Sequence, residues 1–431
     1  MTDTATPRSE GETAVVSLTQ ADGSIVELVY AAGEHKTMLA VGRGEDVHIA
    51  DALTGGSGAR LFPVPASNNL IRHGAVLLPE CPESFDTPSS LASEVADYLD
   101  RYLDLTPGFR TIASWYVLLS WVYDAFNELP YLRFRGDFGT GKTRALTVIG
   151  SVCYKPFFAS GASTVSPIFH ILDRFRGTLV LDEADFRFSD EKSEIVKILN
   201  NGNAKGFPVL RNSMNAKREF DPRAFHVYGP KLVAMRQSFD DEALESRCLT
   251  EEMGQRPMRK GIPINLPDAQ AAEALALRNK LLSYRFRYFH AVAVDPRLVD
   301  PDQSARTNQL LVPLLSIIES DEARAEVRAF AVGIGDELRF DRSLRPEALV
   351  LSAIRDLARE HGQATLAVSE ITQRVIERHA KDFERFVTPR YIGQIIRKRL
   401  RIVTYKSHGI YVISLTESAT IAFLCERYGL D

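Results

Sequence analysis

The eight residues Gly136-Asp-Phe-Gly-Thr-Gly-Lys-Thr143 constrain this chain more than any others. They match GxxxxGK[ST] at every defined position, and that spacing has physical meaning in one setting. A strand must deliver the loop, and the glycines must let backbone N–H groups turn inward around anionic oxygens. A helix must then start at the lysine, so that its positive end faces the same point. The flanks supply both: Leu132–Phe134 is strand-like, and Arg144–Cys153 has a helical pattern. The chain is therefore predicted to be α/β, with a phosphate-cradling loop between a buried strand and a helix.

The loop residues Gly136, Asp137, Phe138, Gly139, Thr140, Gly141, Lys142 and Thr143, with Arg144 behind them, are the candidate ATP-binding residues. Lys142 is suited to reach the β and γ phosphates, and the Thr143 hydroxyl to hold Mg²⁺. A second element supports hydrolysis. Leu179-Val-Leu-Asp-Glu183 is an apolar strand ending in two carboxylates, 40 residues after Lys142. Asp182 is placed to hold Mg²⁺, and Glu183 to polarise the attacking water. The string Asp182-Glu-Ala-Asp185 spells the motif of a known helicase class, but no Ser-Ala-Thr motif follows, so the match is one of spelling.

Beyond the loop, strand and helix alternate. Tyr131–Arg135, Thr178–Leu181 and Lys231–Met235 read as strands and Lys192–Leu199 as a helix, the pattern of a doubly wound parallel sheet. Upstream, short β-type runs at Ala14–Leu18, Ile25–Tyr30, Thr37–Val41 and Val47–Ala50 define a small β-rich unit over 1–75. Two helices over 76–130 lead into the core, the first capped by Ser89 or Ser90. The nucleotide core spans 131–265, a helical lid 266–340, and a helix-rich end with a hairpin 341–431.

The 431 residues carry a formal net charge of −4, so a polyanion partner would need a local basic patch. Cys81, Cys153, Cys248 and Cys425 form no CxxC, which argues against a zinc site or a disulfide framework. The polar N-terminus lacks the pattern of a signal peptide, and the apolar stretch Ile112–Phe126 is too short for a membrane span. A cytoplasmic protein without membrane contact is expected.

These motifs resemble those of the AAA+ ATPases, in particular ring-forming helicase-like members of mobile elements and phages, over roughly Leu91 to the C-terminus. The resemblance implies a homo-oligomer, a hexameric ring, with ATP held between subunits. It also implies roles for individual residues. Arg247, in Glu245-Ser-Arg247, corresponds to an arginine that reaches the neighbour's γ-phosphate, where it would neutralise transition-state charge. The insert before Lys231–Met235 corresponds to a pore hairpin, with arms Phe207–Arg211 and Phe225–Tyr228. Residues 203–224 carry five cations against two carboxylates, and Lys217 and Arg218 at the tip are candidates to grip a DNA single strand. Arg306, and after it Arg278, are candidates for a lid arginine that senses nucleotide. The family usually ends the strand equivalent to Lys231–Met235 with Asn, Ser or Thr; Arg236 and Gln237 follow here, and Gln237 is the candidate for that role.

At the C-terminus, Ala348–Glu360, a helix capped by Ser369, and Pro389–Leu400 precede a hairpin of Arg401–Tyr405 and Ile410–Ile413, and this order resembles a winged helix. Residues 371–411 hold ten Lys/Arg against three Asp/Glu. Ile392, Ile395, Ile396 and Leu400 form an apolar stripe, which turns Arg390, Gln394, Arg397 and Lys398 outward, with Lys406 in the wing. Duplex DNA is the expected partner there. The expectation is a DNA-dependent ATPase acting as helicase or translocase in replication. A helicase loader, a protein-remodelling ATPase and a nucleotide-gated DNA-binding regulator remain open alternatives.

Overall fold

A computed structural model describes residues 12–430 apart from 57, 161–162, 183–189, 215–219, 240, 362–363, 384–385 and 417. Contacts divide the chain into two units, the first ending at Ala331 and the second beginning at Val332. The division falls inside the helix Asp321–Ser343, whereas the sequence placed it at 340/341.

The first unit is built on a five-stranded sheet. Its spatial order is Cys248–Glu252, Tyr131–Arg135, Lys231–Met235, Leu179–Leu181, Phe157–Ala159. Every ladder in it is parallel. Parallel neighbours require crossovers, which the helices Lys142–Gly150, Val165–Phe175 and Asp190–Asn201 supply. The central strand Lys231–Met235 is buried along its whole length, as expected of a strand covered on both faces. The strands Phe157–Ala159 and Cys248–Glu252 were not anticipated. The first is too short for a periodic signal, and the second, Cys-Leu-Thr-Glu-Glu, places acids where an apolar run would be sought.

The lead-in helices are Pro88–Tyr102 and Pro107–Trp121. Thr87 caps the first, not Ser89 or Ser90: its hydroxyl accepts from the Ser90 N–H at 3.1 Å while the Ser90 side chain accepts from the Thr87 N–H. This reciprocal pair starts the helix one turn earlier than expected. Trp121 donates to Val152 O at 3.0 Å and is fully buried, fastening the second helix behind the phosphate-loop helix.

The N-terminal strands form an antiparallel sheet of Ser17–Thr19, Ile25–Ala31, Lys36–Arg43 and Asp46–Ala50, and a three-stranded one of Glu12–Val15, Arg60–Pro63 and Leu53–Thr54. They share a hydrophobic core with the parallel sheet through Val26, Leu28, Leu39 and Val64. A buried ion cluster adds to this. Glu27 pairs with Lys155 at 2.6 Å and with Arg285 at 2.7 Å, and Arg285 also pairs with Asp124 at 2.7 Å. Tyr154 donates to the same Glu27 carboxylate at 2.7 Å. Burial alone would raise the Glu27 pKa, but the Lys155 and Arg285 charges overcome it and hold the carboxyl below its ordinary value.

The second unit packs the helices Pro346–His361, Val368–His379 and Pro389–Gln394 against a sheet of Thr365–Ala367, Ile410–Ser414 and Thr404–Ser407. A final helix, Ser418–Arg427, was not anticipated. Among the described residues no helix is long and apolar enough to cross a membrane.

Candidate functional site

The strand Tyr131–Arg135 delivers the loop 136–141, and the helix begins at Lys142. The turn out of the strand is tight: a Cβ on Gly136 would lie 2.5 Å from Met253 O, and Gly136 has φ +154°. Only glycine fits there. The Lys142 ammonium donates to Gly136 O and Asp137 O at 2.6 Å each, closing the loop on itself. An arriving phosphate would exchange with those carbonyls. Thr143 Oγ1 donates to Asp182 Oδ2 at 2.7 Å. This contact crosses the central strand, because Lys231–Met235 lies between the loop strand and the strand that ends at Asp182. Glu183 lies outside the described residues.

A cavity of 290 Å³ gathers these groups, lined by Gly139–Thr143, Asp182 and Ala234–Arg236. Arg236 lies 4.1 Å from the centroid of the Phe138 ring, an exposed aromatic on the loop. Arg236, not Gln237, therefore lines the cavity at the strand end. A second cavity of 480 Å³ shares Gly139, Thr140 and Gly141 with the first. Met253, Met258, Ile262 and Ile264 give it an apolar wall, a surface suited to the flat ring of a nucleobase. Arg144 donates to Pro263 O and Ile264 O, so it shapes this second cavity while its hydrogen bonds go to protein. Sequence reading missed residues 251–264 because no motif marks an apolar ring pocket.

The residues present fit Mg²⁺. A hydroxyl and a carboxylate, both hard oxygen donors, stand together at the foot of the loop. Among the described residues no group of three or more His, Cys, Asp or Glu could hold a metal ion. Magnesium characteristically takes one or two protein oxygens and completes its shell with phosphate and water.

Arg247 sits at the other end of the sheet. Cys248 pairs with Tyr131 and Glu252 with Arg135, so Arg247 precedes the strand end farthest from the loop. Five residues of strand separate it from the cavity at the loop, about 16 Å. It donates to Asn200 Oδ1, while its buried Nε has no hydrogen-bond partner among the described residues. Burial, and the Arg247 charge, lower the Arg306 pKa. Arg306, in the first turn of the helix Ala305–Ile317, lines neither cavity. Arg278 is buried and donates to Ser151 O at 2.6 Å and Leu78 O at 3.2 Å, a role in packing and not in nucleotide contact.

The insert forms a hairpin with arms Val209–Met214 and Phe220–Phe225, each shifted from the expected span. Lys217 and Arg218 lie outside the described residues. Two of its other cations are engaged with the core. Arg223 pairs with Asp173 at 3.3 Å, and Arg211 lies 4.6 Å from the Phe169 ring centroid. They seat the hairpin on the helix Val165–Phe175.

In the second unit Arg390, Arg397, Lys398 and Lys406 are exposed, and Ile392, Ile395, Ile396 and Leu400 are buried. The expected helix Pro389–Leu400 changes its winding after Gln394. Ile395–Arg399 is a π-helical turn, closed by Leu400 N–H donating to Ile395 O at 2.9 Å. The wider turn leaves Arg397, Lys398 and Arg399 exposed in succession. Arg399 pairs with Glu347 at 2.7 Å, whereas Arg397 and Lys406 flank Tyr411 at 5.6 and 5.5 Å from its ring centroid. Tyr411, which sequence reading did not single out, thus belongs to the same cationic face.

No family model matches the chain, and no curated protein matches it. Among solved structures, the apo C-terminal region of NrS-1 is similar at 10% identity, covering 90% of this chain and 96% of that one, with a TM-score of 0.39. Drosophila ORC bound to DNA is similar at 13% identity, over 82% of this chain and 97% of that one, with a TM-score of 0.19. At these scores the function has to be argued from the chain's own residues.

Proposed function

We propose that this protein is an ATP-driven DNA helicase or translocase of the AAA+ class, working as a ring of identical subunits in DNA replication. The observation that carries the proposal is the convergence of Lys142, Thr143 and Asp182 on one cavity beside an apolar ring pocket. That arrangement fits a nucleoside triphosphate: phosphates over Gly139–Thr143, base against Met253 and Ile262. Bound Mg²⁺, held by Thr143 and Asp182, would supply charge neutralisation at the phosphates. Glu183 would orient and deprotonate the attacking water.

The ring is supported by Arg247. With about 16 Å of strand between it and its own loop, the guanidinium is better suited to a neighbour's phosphates than to its own. Work on DNA is supported by the hairpin and by the cationic face of the second unit, whose helices and hairpin follow winged-helix order. The setting of a mobile element or phage genome rests on the family resemblance. The test is ATP turnover with and without single-stranded DNA, together with strand displacement on a forked duplex. Stimulation by DNA with displacement is expected. Hydrolysis that ignores DNA and never separates strands would sink the helicase reading in favour of a loader or protein remodeller.

Two further outcomes are expected. Arg236→Ala should lower kcat by about 10- to 100-fold with a smaller change in KM, since the guanidinium lines the phosphate cavity beyond the loop. Steady-state phosphate release measures both. Arg397→Ala with Lys398→Ala should weaken duplex binding and reduce the slope of log affinity against log salt by about 1 to 2. An unchanged slope would remove the second unit from the DNA interface.

A further inference from the structure

Lys231 opens the central strand and is fully buried. Its Nζ donates to Val227 O at 2.8 Å, Gly229 O at 2.9 Å and Gly202 O at 3.1 Å. These carbonyls belong to the two roots of the hairpin insert: Gly202 is where the chain leaves the helix Asp190–Asn201, and 227–229 is where it returns to the sheet. The roots are also joined directly, since Gly229 N–H donates to Gly202 O at 3.1 Å. The ammonium lies 5.1 Å from the ring centroid of Tyr131, the first residue of the loop strand. The space is made for it: a Cβ on Gly202 would come within 2.3 Å of Nζ.

The other end of the same strand, Ala234–Met235 with Arg236 after it, lines the phosphate cavity. One five-residue strand, hydrogen-bonded on both sides, therefore joins the nucleotide cavity to the hairpin roots. We propose that Lys231 is a positioning residue that locks the hairpin to the nucleotide-binding sheet, so that the two move as one body and hydrolysis is converted into movement of the DNA strand. The inference rests on the helicase reading and deepens it. A buried ammonium is costly in a packed interior, and burial pushes this one down to about 7. An apolar side chain would fill the same volume at less cost, but would leave the roots without a common donor.

The test compares wild type and Lys231→Met for ATP hydrolysed per base pair unwound on a forked duplex. KM for ATP and the hydrolysis rate are expected to stay within about twofold, while unwinding per ATP falls about tenfold. A ratio that stays at the wild-type value overturns the inference. Wild-type protein without DNA-stimulated hydrolysis would instead bring down the helicase reading, and this inference with it. Should Lys231→Met fail to fold, hydrogen exchange on the wild-type protein decides. Root amides such as Gly229 should exchange within about tenfold of the strand amides of 231–235, and an ATP analogue should slow both together. Roots exchanging more than about 100-fold faster than the strand would show that they hinge freely and overturn the lock.

Discussion

Asp182→Asn is expected to lower ATP hydrolysis at least about 100-fold, a loss of about 2.7 kcal/mol of transition-state stabilisation. The side chain is partly exposed at the end of Leu179–Leu181 and accepts from Thr143. Asparagine keeps the size and an acceptor for that hydroxyl but removes the charge on which a divalent cation depends. Folding should barely change, because the side chain is partly exposed and asparagine keeps its size. Lys142→Ala should have a similar kinetic effect for a different reason. It removes the cation that now closes the loop on Gly136 O and Asp137 O, so nucleotide binding weakens as well. Phosphate release, fluorescent-nucleotide titration and a thermal melt on the same samples separate the two. Hydrolysis by Asp182→Asn within tenfold of wild type would show that the catalytic cation is not held here.

The second large effect is on stability. Glu27→Gln removes the carboxylate between Lys155 and Arg285, leaving Arg285 its pair with Asp124, in a site where the Glu27, Lys155 and Arg285 side chains are almost completely buried. Breaking a buried pair from one side costs about 3–5 kcal/mol. For a unit of this size that is a fall of roughly 5–10 °C in melting temperature. The sign of the pH dependence follows from the lowered Glu27 pKa. Its contribution is complete above the unfolded carboxyl value near 4.5 and is lost as pH falls through the lower folded value. Melting curves should therefore show the gap between wild type and Glu27→Gln wide at pH 7 and narrowing in acid. A gap that does not change with pH would mean that the carboxylate charge is not what holds the cluster.

The sequence carried local chemistry well and tertiary partnership poorly. The strand–loop–helix turn at 131–150 was legible because the motif fixes residue types within eight positions. The place of Asp182 beside Thr143 was legible because an apolar run stops where the strand ends at the cavity. Glu27 was not. In Ile-Val-Glu-Leu-Val-Tyr-Ala a single acid reads as a solvent-facing strand position, and its partners are 128 and 258 residues away. The N-terminal strands were thus read as a separate unit, although their core is continuous with that of the parallel sheet. Lys231 was likewise read only as the start of a strand, since its partners are main-chain oxygens with no residue signature. The π-helical turn at Ile395–Arg399 was invisible because its apolar stripe also fits an ordinary helix. The cavity at Met253–Ile264 follows no spacing rule at all, since any apolar wall of the same shape would line it.

The edge strand Cys248–Glu252 carries a further implication. Arg247 precedes one end of it, and at the other end Met253 N–H donates to Arg135 O at 2.6 Å while Met253 O presses on Gly136. In the proposed ring, the arginine offered to one neighbour and the buttress beneath a subunit's own phosphate loop are two ends of one short rod. In that proposed ring, reshaping the loop around nucleotide would pull on the strand that carries the arginine offered next door. Such a linkage would favour, in that proposed ring, sites that fire in rotation over sites that fire at random, through the order of strands in the sheet.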